Sequence, residues 1–217
     1  VVGWGHEIQL IGLKTGGRRN LILVDSSASM LDPTIVGIIR RRHLPAAEQR
    51  RAPKWRRAVA AVDWLVERLP ASGQFQIYTF ASDARPLIEG TAGRWLDAGD
   101  KKLLQQARTR LRAMVPDGGT SLHAAFDAVA AMKPRPDNVY LLVDGLPTQG
   151  SRRPRRTTVT GRERMAHFSD AIRRLPRGVT MNVLLYPLEG DPGAASAYWD
   201  VTIATNGALL TPSEDWP

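Results

Sequence analysis

The chain has 217 residues and no cysteine, which excludes disulfides, thiolate metal sites and cysteine nucleophiles and leaves the cellular compartment undecided. No apolar run approaches the roughly 18–20 residues that span a bilayer. No signal-peptide pattern opens the chain, and its first residue is Val1. That start reads as a portion of a longer protein, with an extracytoplasmic or membrane-anchored placement through a preceding part favoured. Catalytic signatures are missing too: no Gly-x-Ser-x-Gly elbow, no Walker A lysine, no dinucleotide glycine set, no His-Glu-x-x-His. Of 4 histidines, only His123 lies near the residues singled out below, and its reading is a packed structural side chain.

What is present is enough for a core. A 43% hydrophobic content without polar low-complexity tracts fits one α/β domain, which at this length buries on the order of 70% of its unfolded surface. Asn20 to Met30 organises the rest. Leu21 to Val24 is a short apolar run, as expected of a central strand covered on both faces, and it ends in Asp25, Ser27 and Ser29. A second such strand, from Asn138 to Val143, ends in Asp144, and Gly118-Gly119-Thr120 opens a helix between them. In an open sheet, ligands bind beyond the carboxyl ends of the strands at the switch point, so these oxygens are placed to converge. Carboxylates with hydroxyls suit a hard cation such as Mg²⁺, with Mn²⁺ or Ca²⁺ as variants. Read separately, the same residues are also ordinary helix caps and turns.

The remaining pattern alternates. Helices are expected over 35–42, from Pro53 to Leu69, after Asp100, from Leu122, near 162–175 and over 194–205; strands over 74–81, around 86–89, over 179–186 and over 208–210. A weak strand over 6–13 is either an edge strand or a lead-in segment. The short link after residue 81 allows only a hairpin, hence one antiparallel edge strand on a doubly wound, mostly parallel sheet with helices on both faces.

In that order and spacing, Asp25-Ser26-Ser27-Ala28-Ser29, Thr120 and Asp144-Gly145 resemble the three loops of the metal-ion-dependent adhesion site of von Willebrand factor A domains of bacterial type. Ala28 stands where the family commonly has glycine, and the insert at 31–53 is a departure. The resemblance runs from about Arg19 to Trp216, giving a lead-in over 1–18 and a single domain over 19–217. It implies that Ser27, Ser29 and Thr120 touch the metal, that Asp25 and Asp144 bind it directly or through water, and that a partner's carboxylate completes the coordination.

The formal charge is +9, and it is local. Residues 40–57 carry eight arginines and lysines against Glu48, and 151–164 carry six arginines against Glu163. The basic inserts at 31–53 and 146–161, which hold most of these charges, both leave the sheet at its carboxyl edge. Arg40, Arg41, Arg42, Arg152, Arg153, Arg155 and Arg156 are therefore candidate partner-binding residues for an acidic protein ligand. The reading is a binding module and not an enzyme, a domain of a larger protein and monomeric by itself. The alternative is arginine-mediated binding of nucleic acid or an anionic surface on the same scaffold, and a metal-dependent hydrolase comes third.

Overall fold

A computed structural model describes residues 8–10, 13–152 and 158–213. The lead-in forms its own antiparallel hairpin, β1 (Ile8–Leu10) with β2 (Leu13–Thr15), separate from the main sheet. Among the described residues it pairs with no strand of that sheet. β3 (Arg19–Asp25) follows, buried from Asn20 onward. A single 3₁₀ turn, Ala28–Leu31, leads to α1 (Ile35–Arg42) and α2 (Ala46–Arg50). Thr34 caps α1 by accepting from the Gly37 amide. α2, with Pro45 at its N-cap, is a second short helix within the 31–53 insert.

α3 (Pro53–Glu67) starts on a proline, whose fixed φ suits a first turn. β4 (Gln74–Phe80) runs parallel to β3, and β5 (Ala84–Pro86) folds back against β4 as the antiparallel edge. The hairpin is tighter than the sequence suggests, because Phe80 already pairs with Ala84. A two-residue strand, β6 (Leu96–Asp97), also pairs with β4. Then come α4 (Lys101–Ala113, capped by Asp100), α5 (Leu122–Ala131), β7 (Asn138–Val143), α6 (Gly161–Ile172), β8 (Thr180–Leu185), α7 (Ala194–Ala204) and β9 (Leu209–Leu210).

The sheet order is β5-β4-β3-β7-β8-β9, with β3 parallel to both β4 and β7. Strand alternation splits the core in two. Ile22 and Val24 face α3 and α4 with Trp55, Val62 and Leu111. Leu21 and Leu23 face the other layer with Phe126, Phe168 and Tyr198. On α6, Phe168 and Ala171 are buried while Met165 is 36% exposed, so that side of the helix turns to solvent. The chain reverses direction across the sheet between β3 and β7, and the loops that leave their carboxyl ends meet there.

Candidate metal centre

Three loops are tied together at that edge by backbone bonds. The Ser26 amide donates to the Phe80 carbonyl at 2.8 Å, and the Asp117 amide donates to the Ser26 carbonyl at 2.8 Å. The Ala28 amide donates to the Gly118 carbonyl at 3.0 Å. Gly118 has φ +83°, a region that favours glycine. At Gly119 an added Cβ would come within 2.5 Å of the Gln149 side chain, so glycine lets the second loop lie against the segment after β7. That segment is fixed in turn: the Thr148 and Gln149 amides both donate to the Thr120 carbonyl at 3.0 Å. Behind it the Tyr198 hydroxyl donates to the Gly145 carbonyl, and Arg164 pairs with Asp191 at 2.7 Å.

The side chains then form a continuous chain of oxygens. The Thr120 hydroxyl donates to Ser27 Oγ at 3.0 Å, Ser27 Oγ lies 2.9 Å from Ser29 Oγ, and the Ser29 hydroxyl donates to Asp144 Oδ1 at 3.0 Å. Asp25 Oδ1 accepts from the Ser27 amide at 2.8 Å. Its other oxygen, Oδ2, is buried with no partner. Asp25, Ser27, Ser29, Thr120 and Asp144 are thus brought to one place.

They are not exposed loop residues, as strand-end loops lead one to expect. Asp25 is 0% exposed and Asp144 3%, because the Thr120 loop and the segment after β7 close over them. Burial, and then the neighbouring Asp144, push the Asp25 carboxyl up to about 7. A buried carboxylate oxygen without a donor is costly unless a cation meets it. The set of two carboxylates and three hydroxyls therefore fits an oxygen-seeking divalent ion. Among the described residues no group of three His, Cys, Asp or Glu offers an alternative centre.

One member of the site was not singled out from the sequence. Lys54, in the first turn of α3, is 0% exposed, and its Nζ lies 2.6 Å from Asp144 Oδ2. The available signal was its place on a buried stripe, followed by Ala58, Ala61 and Leu65 at helical spacing. His123 does not belong to the site. It is 3% exposed and faces Asp170 on α6 at 3.2 Å, and burial first and then Arg174 hold its pKa below the usual value.

The basic residues fare unequally. α1 is tied to loops of the same edge: the Ile35 amide donates to Glu189 at 3.1 Å, and Arg42 sits 3.7 Å from Asp117. Arg41 is turned onto Asp32 at 2.8 Å, whereas Arg40 and Arg42 are exposed. Arg152 is exposed; Arg153, Arg155 and Arg156 lie outside the described residues.

The von Willebrand factor type A domain profile matches residues 21–146. No curated protein sequence matches the chain. Among solved structures, a von Willebrand factor type A protein from Catenulispora acidiphila is similar at TM-score 0.61 and 16% identity, over 93% of this chain and 40% of that one. Proximal thread matrix protein 1 of the mussel byssus gives TM-score 0.53 and 16% identity, over 90% and 44%. BatB of Bacteroides thetaiotaomicron gives 0.54 and 16%, over 89% of each chain. The chain thus spans 40% of the Catenulispora chain and 44% of the mussel chain.

Proposed function

Because the chain belongs to the von Willebrand factor A domain family, whose members generally serve as adhesion and interaction modules, we propose that it is a metal-dependent protein-binding domain. Asp25, Ser27, Ser29, Thr120 and Asp144 hold Mg²⁺ or a related divalent ion, which supplies a Lewis-acidic position for a carboxylate of an acidic partner. The observation that carries this reading is the buried, partnerless Oδ2 of Asp25 beside a run of three hydroxyls ending on Asp144.

The chain's own residues do the rest. The hydroxyls present lone pairs and can turn their hydrogens outward, and the Thr120 loop limits water around the carboxylates. The exposed Ile35, Val36 and Ile39 of α1, with Arg40 and Arg42, give the partner an apolar and basic rim. Arg152, Arg153, Arg155 and Arg156 extend that rim in this reading. Among the described residues no histidine reaches the oxygens, His123 facing Asp170 instead, and the Asp25 carboxylate is taken up by the metal in this reading, which favours binding over turnover. Among the described residues no helix is long and apolar enough to cross a membrane. An extracytoplasmic or membrane-anchored placement fits the reading, with the domain as a part of a larger protein.

Calorimetric titration with Mg²⁺ and Mn²⁺, on the wild type and Thr120→Ala, tests the proposal. Saturable binding that weakens in the variant is expected, and heats equal to dilution in the wild type would sink it.

A further inference from the structure

Among the described residues Lys54 is the one fully buried lysine, and it sits beside the candidate metal centre. Its ammonium has three donors, and three acceptors meet it: Asp144 Oδ2 at 2.6 Å, the Ser29 carbonyl at 3.1 Å and the Asp32 carbonyl at 3.3 Å. One side chain from α3 therefore joins the loop after β3 to the carboxylate at the end of β7. The two oxygens of Asp144 are divided between two tasks. Oδ2 belongs to Lys54, while Oδ1 accepts from Ser29 on the side of the hydroxyl chain.

Burying two carboxylates at neighbouring strand ends is strongly unfavourable without positive charge close by. A site that relied on a divalent ion alone would lose its only counter-charge whenever the ion left. Here a cation is covalently present. We propose that Lys54 is a built-in counter-ion and positioning residue of the metal centre. It keeps the loops set when no metal is bound, lowers the centre's affinity for divalent ions, and makes the filled centre cationic.

This rests on the metal-binding reading above, and the charge count shows the consequence. Two carboxylates and a divalent ion sum to zero; with the lysine the sum is one positive charge. A neutral centre has little preference for the charge of the incoming ligand. A cationic, desolvated one selects an anion, which narrows the partner chemistry to a carboxylate or similar anionic group over a neutral carbonyl. The lysine thus exchanges metal affinity for selectivity toward an acidic partner.

The test compares the wild type, Lys54→Met and Lys54→Met/Asp144→Asn. Melting is followed in EDTA, and Mn²⁺ is titrated calorimetrically at fixed pH. Lys54→Met should melt below the wild type in EDTA, bind Mn²⁺ at least ~10-fold more tightly, a change of about 1.4 kcal/mol, and recover most of the lost melting temperature at saturation. The double variant should recover most of it in EDTA without Mn²⁺, since the buried Lys54–Asp144 pair is removed as a whole and Asp25 no longer faces a second buried carboxylate. A lysine that served packing alone would leave Mn²⁺ affinity in Lys54→Met unchanged or weaker, and that result overturns the proposal. If Lys54→Met shows no folded baseline in EDTA, millimolar Mn²⁺ should restore one, and failure to do so also overturns it. The wild-type titration separates the two readings. A wild type that binds no Mn²⁺ beside a Lys54→Met that does identifies the lysine as a standing substitute for the ion; if neither binds, both readings fall.

Discussion

The two ends of the central strands use the same chemistry to opposite effect. At the amino end, Asp137 precedes β7 and accepts from the Arg18 amide at 2.8 Å, the Arg19 amide at 3.0 Å and the Arg19 guanidinium at 2.6 Å. Its side chain is 32% exposed and borders an open cleft of about 640 Å³ that Arg18, Trp95 and Asp97 also line. At the carboxyl end, Asp25 closes β3 with one oxygen on the Ser27 amide and the other on nothing, at 0% exposure. A carboxylate saturated by its own backbone is a fastener. One that is buried and left a bond short has capacity for something else. The difference lies in what folds over each end: three loops close the carboxyl edge, while the amino edge stays open to water.

The sharpest way to break this contrast is Asp25→Asn. It keeps the volume and removes the charge, so Mg²⁺ or Mn²⁺ affinity should fall by more than ~100-fold, beyond the cost of losing an outer-shell partner. The metal-free protein should melt no lower than the wild type at neutral pH, because a desolvated charge has gone. Calorimetry and melting curves decide it, and an unchanged metal response refutes the assignment of Asp25.

Acidity gives the next effect. The Asp25 carboxyl is raised to about 7 by burial and by Asp144, above its value in an unfolded chain near 3.9. The folded state thus binds the proton more tightly. Its contribution to stability is complete below about pH 4 and is lost as pH rises through about 7, a change on the order of a few kcal/mol in the metal-free protein. Asp32 and Asp137 oppose it. Burial works to raise both, yet donors from Arg41 and Thr34 to the first, and from Arg19 and Arg18 to the second, hold them low. Those contributions fade as pH falls. Metal binding needs the Asp25 carboxylate, so Mn²⁺ affinity should drop about 10-fold per pH unit below about 7 and level off above it. Titrations from acid to mildly basic pH check this, and Asp25→Asn should show no such slope.

At the other end of the sheet, Asp137→Ala should cost about 2 kcal/mol of stability, through three lost bonds that are partly replaced by water. It should leave Mn²⁺ affinity untouched. A metal response altered by this variant would mean that the two ends are coupled and that the contrast between them is wrong.

How much of this could be read from the sequence follows from where each signal sits. The strand ending at Asp25 and the helix at Ile35–Arg42 are local, carried by an apolar run and by a capping Thr34. So is Asp100, whose carboxylate accepts from the Lys102 and Leu103 amides. The antiparallel edge strand was expected around 86–89 and lies at Ala84–Pro86, because the turn closes with the Ala81 amide on the Asp83 carbonyl, while Leu87 and Ile88 go into the core. That is decided by packing against neighbours far along the chain. Lys54 was missed for the same reason. A lysine just inside a helix reads as a solvated residue until β7 brings Asp144 to it, 90 positions away. The burial of Asp25 is equally non-local, since it depends on the Thr120 loop and on the segment after β7.

The smallest expected effect concerns the arginines around the same edge. Arg40 and Arg42 are exposed on α1, and Arg152 is exposed after β7. Arg41 differs, because its guanidinium is held on Asp32 at 2.8 Å. Neutralising Arg152, Arg153, Arg155 and Arg156 together should leave Mn²⁺ affinity and melting temperature nearly unchanged, since none of the five proposed metal ligands is altered. What should change is the rate at which an acidic partner arrives. Exposed charges beyond contact distance act through a field that salt screens over about 8–10 Å. A peptide of alternating Asp and Gly, long enough to cover the edge, is a suitable probe. Its association rate on the four-fold variant should fall several-fold at low ionic strength and converge with the wild type near molar salt, while its dissociation rate stays the same. Thr120→Ala should do the reverse, raising dissociation with little effect on association. If the four-fold variant instead speeds dissociation, these arginines contact the partner directly and the rim belongs to the binding site; if it changes neither rate, they serve only to solvate their loop.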